Sequence, residues 1–385
     1  MKKLLGILGA LGLTTSTAAT VVSCTPAQAD IDLSVNHAIG NDIDKTNAKN
    51  TGDDASKHYG FTNFFTLGDS LSDQNGITTL IKNKLSISIE MGGEYKNGFS
   101  NGPTTAALIN NKLNFNDEEF SAANIAQKDA PISKGEEKVW GKNYSVGGAT
   151  AMTQSGVSAA FINDSRIDLQ AQALIQQQVV GANDLVMLEI GGNDLFAMID
   201  NMNNPSKQVT IMNEALANIQ KAVYTLLNNG VKNIVFLTPP DLTIVPRYVN
   251  AGEEILNFVD KIGHEFNKKI IAILDEANKA NDNNIYIYDL FTEFKTVIEK
   301  FKVVSENKVV DKEFASSNAF DLSKIDISDI QNFKLEATKL EENSDKNIED
   351  FFFIDQVHPT KAGHEFFSEI FFKALQEHYD FKEVK

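Results

Sequence analysis

The sequence predicts an α/β fold, a parallel sheet covered by helices on both faces, three layers in α/β/α order. Three observations lead there. Short apolar runs recur at intervals too long for hairpins. Stretches of helical period lie between them. The runs are near-continuously apolar, the pattern of strands buried on both faces.

The strand candidates are "FTNFFTL" (61–67), "DLVMLEI" (184–190), "NIVFLTP" (233–239) and "NIYIYDL" (284–290). "WGKNYSV" (140–146) is a weaker fifth. In residues 210–229, Ile211, Ala215, Ile219, Ala222, Val223, Leu226 and Leu227 follow helical spacing, and Gly230 offers a stop. Residues 251–280 do the same through Ile255, Phe258, Val259, Ile262, Phe266, Ile270, Ile273 and Leu274. A last helix spans 360–378, with Ala362, Phe366, Ile370, Phe371 and Ala374 on one side. Residues 300–350 break the pattern, being rich in Lys, Glu, Asp, Ser and Asn. They read as a surface insertion or small cap within one domain over 59–385.

Lys plus Arg number 35 against 52 Asp plus Glu, a net charge of −17. Such a chain repels nucleic acid and anionic lipid alike. Hydrophobic residues make up 42%, enough for a sizeable core. The chain has one cysteine, Cys24, so no intrachain disulfide forms. Cys24 ends a stretch with Lys2 and Lys3, then an apolar run, then small residues up to Ser23. Residues 1–23 read as a secretory signal. "VVSC" resembles a bacterial lipobox, which implies a lipid-bearing Cys24 as the first mature residue and an extracytoplasmic, membrane-anchored protein. An ordinary signal peptide with an incidental cysteine is the alternative. Residues 24–58 lack periodicity and are rich in Asp, Asn, Thr, Ala and Lys, the composition of a flexible tether.

Ligands of parallel sheets bind beyond the carboxyl ends of the strands. Four stretches fall there: "GDSLSD" (68–73), "NYSVGGAT" (143–150), "EIGGNDLF" (189–196) and "IDQVHPTKAGHEF" (354–366). Ser70 stands on a strand-to-helix turn, as a helix cap or as a nucleophile. The Gly147–Gly148 pair makes a turn or lets a backbone N–H approach a ligand. Asn193 shapes a turn or donates its amide. His358 has Asp355 three residues before it and Pro359 at a helix start, so the carboxylate can hold the ring in one tautomer. The other histidines, His37, His58, His264, His364 and His378, have no acid at that spacing beside a helix start. Asp69 and Asp73 read as turn and helix-start acids.

Taken in order, the four stretches resemble the sequence blocks of the GDSL esterase/lipase family, also called SGNH hydrolases. The likeness runs over most of residues 61–375, and most resembles the bacterial branch of lecithinases, haemolysins and lipases. It implies a flavodoxin-like sheet and a serine esterase with Ser70, His358 and Asp355 as triad. It implies an oxyanion hole from the N–H groups of Ser70 and Gly148 and the side chain of Asn193. No cofactor and no metal are implied. No G-x-S-x-G elbow surrounds Ser70, which disfavours an ordinary α/β-hydrolase. The expected substrates are carboxylic esters, lipid or phospholipid acyl esters first and carbohydrate O-acetyl groups second. A solute-binding lipoprotein that lost catalysis is the reading from another class. "FFF" (351–353) is either a buried edge strand or an acyl-chain wall beside the site.

Overall fold

Four of the apolar runs become one parallel sheet. Its strands are β1 (Asn63–Gly68), β2 (Asp184–Glu189), β3 (Asn233–Leu237) and β4 (Ile285–Tyr288), side by side in that order. The computed structural model describes residues 31–155, 159–304, 308–317 and 332–381. The expected signal segment and Cys24 lie outside the described residues. Register runs from Asn63 opposite Asp184 to Gly68 opposite Glu189, so β1 and β2 end level. Every residue of both strands is buried, as their unbroken apolar patterns require.

The weaker fifth run lies along the open edge of β1 without becoming a regular strand. Thr66 N–H donates to Lys142 O (3.2 Å), Tyr144 N–H to Thr66 O (2.8 Å) and Val146 N–H to Gly68 O (3.1 Å). Buried Asn143 explains the irregularity. Its side-chain oxygen accepts from Thr66 Oγ1 and from Ser145 N–H, and its Nδ2 donates to Ser72 O. A polar side chain thus takes over part of the work of the ladder. With this segment on one side of β1 and β2 to β4 on the other, the order reverses at β1. That is the switch point where open α/β sheets bind ligands.

The helices are α1 (Gly76–Leu85), α2 (Thr105–Lys112), α3 (Ile167–Gln177), α4 (Gly192–Asp200), α5 (Pro205–Asn228), α6 (Glu253–Ala280), α7 (Leu290–Val304) and α8 (Lys361–Tyr379). α5, α6 and α8 are the three that periodicity predicts. α3, α5 and α6 pack in a row on one face of the sheet, and α2 packs with α8 on the other. There the β4 ring of Tyr288 meets Phe367 and Phe371 edge-on. The result is a three-layer α/β/α fold.

Two expectations change. Residues 31–58, expected to be a flexible tether, lie against the domain. Gln220 Nε2 donates to Asp32 O, Asn228 Nδ2 to Asn36 O and Ile39 O, and Asn229 Nδ2 to Gly40 O. Lys49 pairs with Gln178, and Ile31, Ile39 and Ile43 pack on the core. Amides on α5 satisfy the segment's carbonyls, so a polar composition does not leave it loose. The second concerns 300–350, read as a surface insertion or small cap. Past the end of α7 at Val304 its described part includes strands: Val309–Glu313 pairs with β5 (Phe351–Phe353), and Asn332–Lys339 joins Ser88–Gly93 and Ala315–Ser317 in a small sheet. All three β5 phenylalanines are buried, packed edge-on against Phe294, Phe301 and Phe314.

Candidate active site

The site stands where β1 and β2 end. Gly68 closes β1 because nothing larger fits: a Cβ there would lie 2.5 Å from Glu189 O. The side chain of Gln170 brackets this glycine. Its Oε1 accepts from Gly68 N–H (2.8 Å) and its Nε2 donates to Gly68 O (2.9 Å). The chain then turns. Asp69 Oδ1 accepts from Leu71 N–H (3.0 Å), and Asp73 accepts from Gly76 N–H (2.6 Å) and Ile77 N–H (3.0 Å) at the start of α1. Both acids therefore shape the turn and the helix start, as their positions predict. Asp73 does one thing more, accepting from Gly147 N–H at 2.5 Å. It ties the Ser70 turn to the glycine pair.

Ser70 is far in sequence from Asp355 and His358, and the three meet in space. His358 Nε2 lies 2.7 Å from Ser70 Oγ, and His358 Nδ1 lies 2.7 Å from Asp355 Oδ2. Asp355 Oδ1 accepts from Val357 N–H (2.9 Å) and His358 N–H (2.8 Å). Two residues not anticipated from the sequence complete the arrangement. The Tyr95 hydroxyl donates to Asp355 Oδ2, the oxygen that faces the imidazole. The Phe99 ring stacks on His358, centroids 5.0 Å apart and planes 24° apart. Burial works against an ionised Asp355, but the charge and hydrogen bonds of His358 and the Tyr95 hydroxyl outweigh it and hold the acid below its ordinary range.

Gly148 and Asn193 both line the cavity beside Ser70. Gly148 has φ +78°, a left-handed conformation that side chains disfavour. Among the described residues no group accepts from the N–H of Ser70 or of Gly148. Asn193, in the first turn of α4, directs Nδ2 to Ala149 O (2.9 Å), with Asp69 Oδ2 at 3.4 Å.

Beneath the turn lies a group of buried carboxyls. Burial pushes Asp69, Asp73 and Asp194 each up to about 6. Glu189 is pushed further, by burial and by the charge of Asp69 beside it. Two buried carboxyls side by side favour a shared proton, and Glu189, pushed higher, is the one that keeps it. The sequence carries no sign of this pair, since Glu189 reads there as the polar end of a strand.

His364 is buried. Its Nδ1 accepts from Thr105 N–H (3.1 Å), and burial, with the charge of His358, pushes its pKa down to about 3. It stays neutral and joins α8 to α2.

The cavity in front of Ser70 has a volume of about 430 Å³. Phe196, Leu242, Leu290, Phe294, Phe352 and Phe367 give it apolar walls. β5 is a buried strand, and its Phe352 also lines the cavity.

Residues 64–371 match the family model described as GDSL-like Lipase/Acylhydrolase. The chain is similar to the thermolabile hemolysin of Vibrio parahaemolyticus, 26% identical over 227 residues, 59% of this chain and 49% of that protein. It is 25% identical over 228 residues to Lipase 1 of Photorhabdus luminescens, 57% of this chain and 27% of that one. The chain thus spans about half the length of the first relative and about a quarter of the second. Among solved structures it is similar to an acetylxylan esterase from Geobacillus stearothermophilus, with TM-score 0.38, 16% identity and coverage of 85% of this chain and 99% of that one. With four fifths of its length matched by one family model, the chain belongs to the GDSL-like lipase/acylhydrolase family, a family of carboxylic ester hydrolases.

Proposed function

We propose that this chain hydrolyses carboxylic esters through an acyl-enzyme on Ser70. The observation that carries the reading is the His358 ring, hydrogen-bonded at 2.7 Å to the hydroxyl on one side and at 2.7 Å to a buried carboxylate on the other. A serine hydroxyl needs a base to become a nucleophile, and a base needs its tautomer fixed. His358 Nε2 takes the Oγ proton as Oγ bonds to the ester carbon. The carbonyl oxygen gains the charge and accepts from the N–H groups of Ser70 and Gly148 and from the Asn193 amide, which turns away from one of its present acceptors. Each such donor is typically worth about 3 kcal/mol of barrier. The bond to the alcohol breaks, and imidazolium gives its proton to the departing oxygen. Water then attacks the acyl-serine by the same route, with no cofactor.

Lipid or phospholipid acyl esters are the substrates this reading favours. The phenylalanine-lined cavity supports it, since an acyl chain is bound by burial of apolar surface. The lipobox-like "VVSC" supports an extracytoplasmic enzyme anchored to the membrane through lipid on Cys24. Ser70→Ala should abolish hydrolysis of p-nitrophenyl butyrate while leaving the melting temperature within a few degrees. Parental turnover in that variant would reject the mechanism. A panel of triacylglycerol, diacyl phospholipid and acetylated polysaccharide ranks the substrates, and faster turnover of the polysaccharide would overturn the lipid assignment. Intact mass of the mature protein tests the anchor, and cleavage elsewhere without added lipid would refute it.

A further inference from the structure

The chain has only two arginines among its 35 basic residues. Arg166 is committed, with Nε and Nη2 both on the carboxylate of Asp168. Arg247 is not committed. It belongs to the short helix Pro246–Val249 and lines the same cavity as Ser70. Its side chain is only 13% exposed, yet its guanidinium makes no hydrogen bond to the described residues. The one charge beside it is Asp200 Oδ1 at 3.8 Å, too far for a hydrogen bond and itself 42% exposed.

Its N–H groups are not sealed from solvent, so water serves them until a ligand does. The protein holds the group against aromatic rings. Its central carbon lies 4.7 Å from the Phe196 ring centroid and 5.5 Å from that of Tyr248. Contact with two rings restrains the guanidinium and leaves its N–H donors for a ligand. The backbone fixes the position, because Arg247 N–H donates to Gln356 O, next to Asp355. Lys207, a second cation, lines the same cavity, whose acids are Asp69, Glu189 and Asp200.

We propose that Arg247 is an anion subsite that holds a phosphate or carboxylate carried by the substrate. The apolar residues beside it, Leu242, Val245 and Ile211, would hold the attached hydrocarbon. The assignment rests on the ester-hydrolase reading for its place in turnover, but the binding site itself does not. The planar fork matches two oxygens of one phosphate or carboxylate, a match that lysine lacks.

The test separates binding from turnover. Calorimetry on the full chain compares decyl phosphate and decanoate with the uncharged decyl glucoside, all below their micelle concentrations. The parental protein should bind at least one anion at least tenfold more tightly than the glucoside, and the tighter of the two identifies the anion. Arg247→Gln should erase that preference. Arg247→Lys, which keeps charge and stem but not the fork, should lose severalfold and covers the case in which the glutamine variant misfolds. No preference in the parental protein, or a preference retained in Arg247→Gln, overturns the subsite. In turnover, the ratio of kcat/KM for mono-p-nitrophenyl succinate over p-nitrophenyl butyrate should fall about tenfold in Arg247→Gln. Failure of the parental protein to cleave either ester would instead count against the hydrolase reading and leave the binding result standing.

Discussion

Ser70 and His358, the proposed nucleophile and base, are held in different ways. Ser70 is carried by the central sheet. Its turn hangs from β1, is bracketed by Gln170, and is backed by Asp69, Asp73 and Glu189. The His358 loop hangs from the periphery. Phe314 N–H donates to Phe353 O, Ala315 N–H to Ile354 O, and Ile354 N–H to His358 O. Tyr95 and Phe99 reach Asp355 and His358 from a separate loop after Ser88–Gly93. One half of the site is thus fixed by sheet backbone and buried acids. The other is fixed by backbone and side chains of elements outside that sheet.

The contrast can be broken at four points. Asp355→Asn keeps the shape of the peripheral half but removes its charge and favours the wrong imidazole tautomer. It should lower kcat by about 10³–10⁴, and a variant within tenfold of parental kcat would show that another group orients His358. Gly68→Ala strikes the sheet half, forcing its methyl against Glu189 O. Overpacking of this kind costs roughly 1–3 kcal/mol, read as a lower urea midpoint, and an unchanged midpoint would mean that the turn is less rigid than described.

Tyr95→Phe should have a milder effect, roughly tenfold in kcat, of the size of one hydrogen bond to a charged group. Its signature is in the pH profile. Without the hydroxyl, Asp355 holds more charge toward the imidazole and favours imidazolium, so the acidic limb of kcat/KM should move to higher pH. A change in melting temperature with an unmoved limb would make Tyr95 a packing residue only.

The smallest effect is on stability against pH. Asp69, Asp73 and Asp194 have folded pKa values of about 6, above the ordinary value of 3.8. Their contribution is complete below about pH 4 and is lost as pH rises through 6. Asp355 is shifted the other way, so its contribution is complete above its ordinary value and is lost only at lower pH. The melting temperature should therefore fall by several degrees between pH 4 and pH 7. A flat or rising curve would show that the acids beneath Ser70 are more hydrated than their burial implies.

The same contrast governs what was legible in the sequence. β1 to β4 announce themselves because strands buried on both faces must be apolar throughout. Ser70, Asp355 and His358 announce themselves because each sits at an element boundary with a short-range partner or turn. Tyr95 and Phe99 give no such sign. They lie in "EYKNGFSNG" (94–102), where nothing local distinguishes a loop that reaches the triad from one that does not. Glu189 and Arg247 are hidden for a related reason, since their burial is set by contacts distant in sequence. Residues 31–58 misled because composition measures what a segment can bury by itself, not the amides that α5 offers it.

The irregular edge beside β1 has a consequence for how molecules meet one another. An open sheet edge is a template on which a second chain can add a strand and begin to aggregate. Here residues 142–146 occupy that edge, and their own outer side is taken in turn, with Ala123 N–H on Asn143 O and Asn143 N–H on Ser121 O. At the opposite edge β4 has only four residues, and Asn278 takes both the N–H and the C=O of Ile285. Neither border offers a long row of free donors and acceptors, so growth of this sheet from one molecule into the next is blocked at both ends.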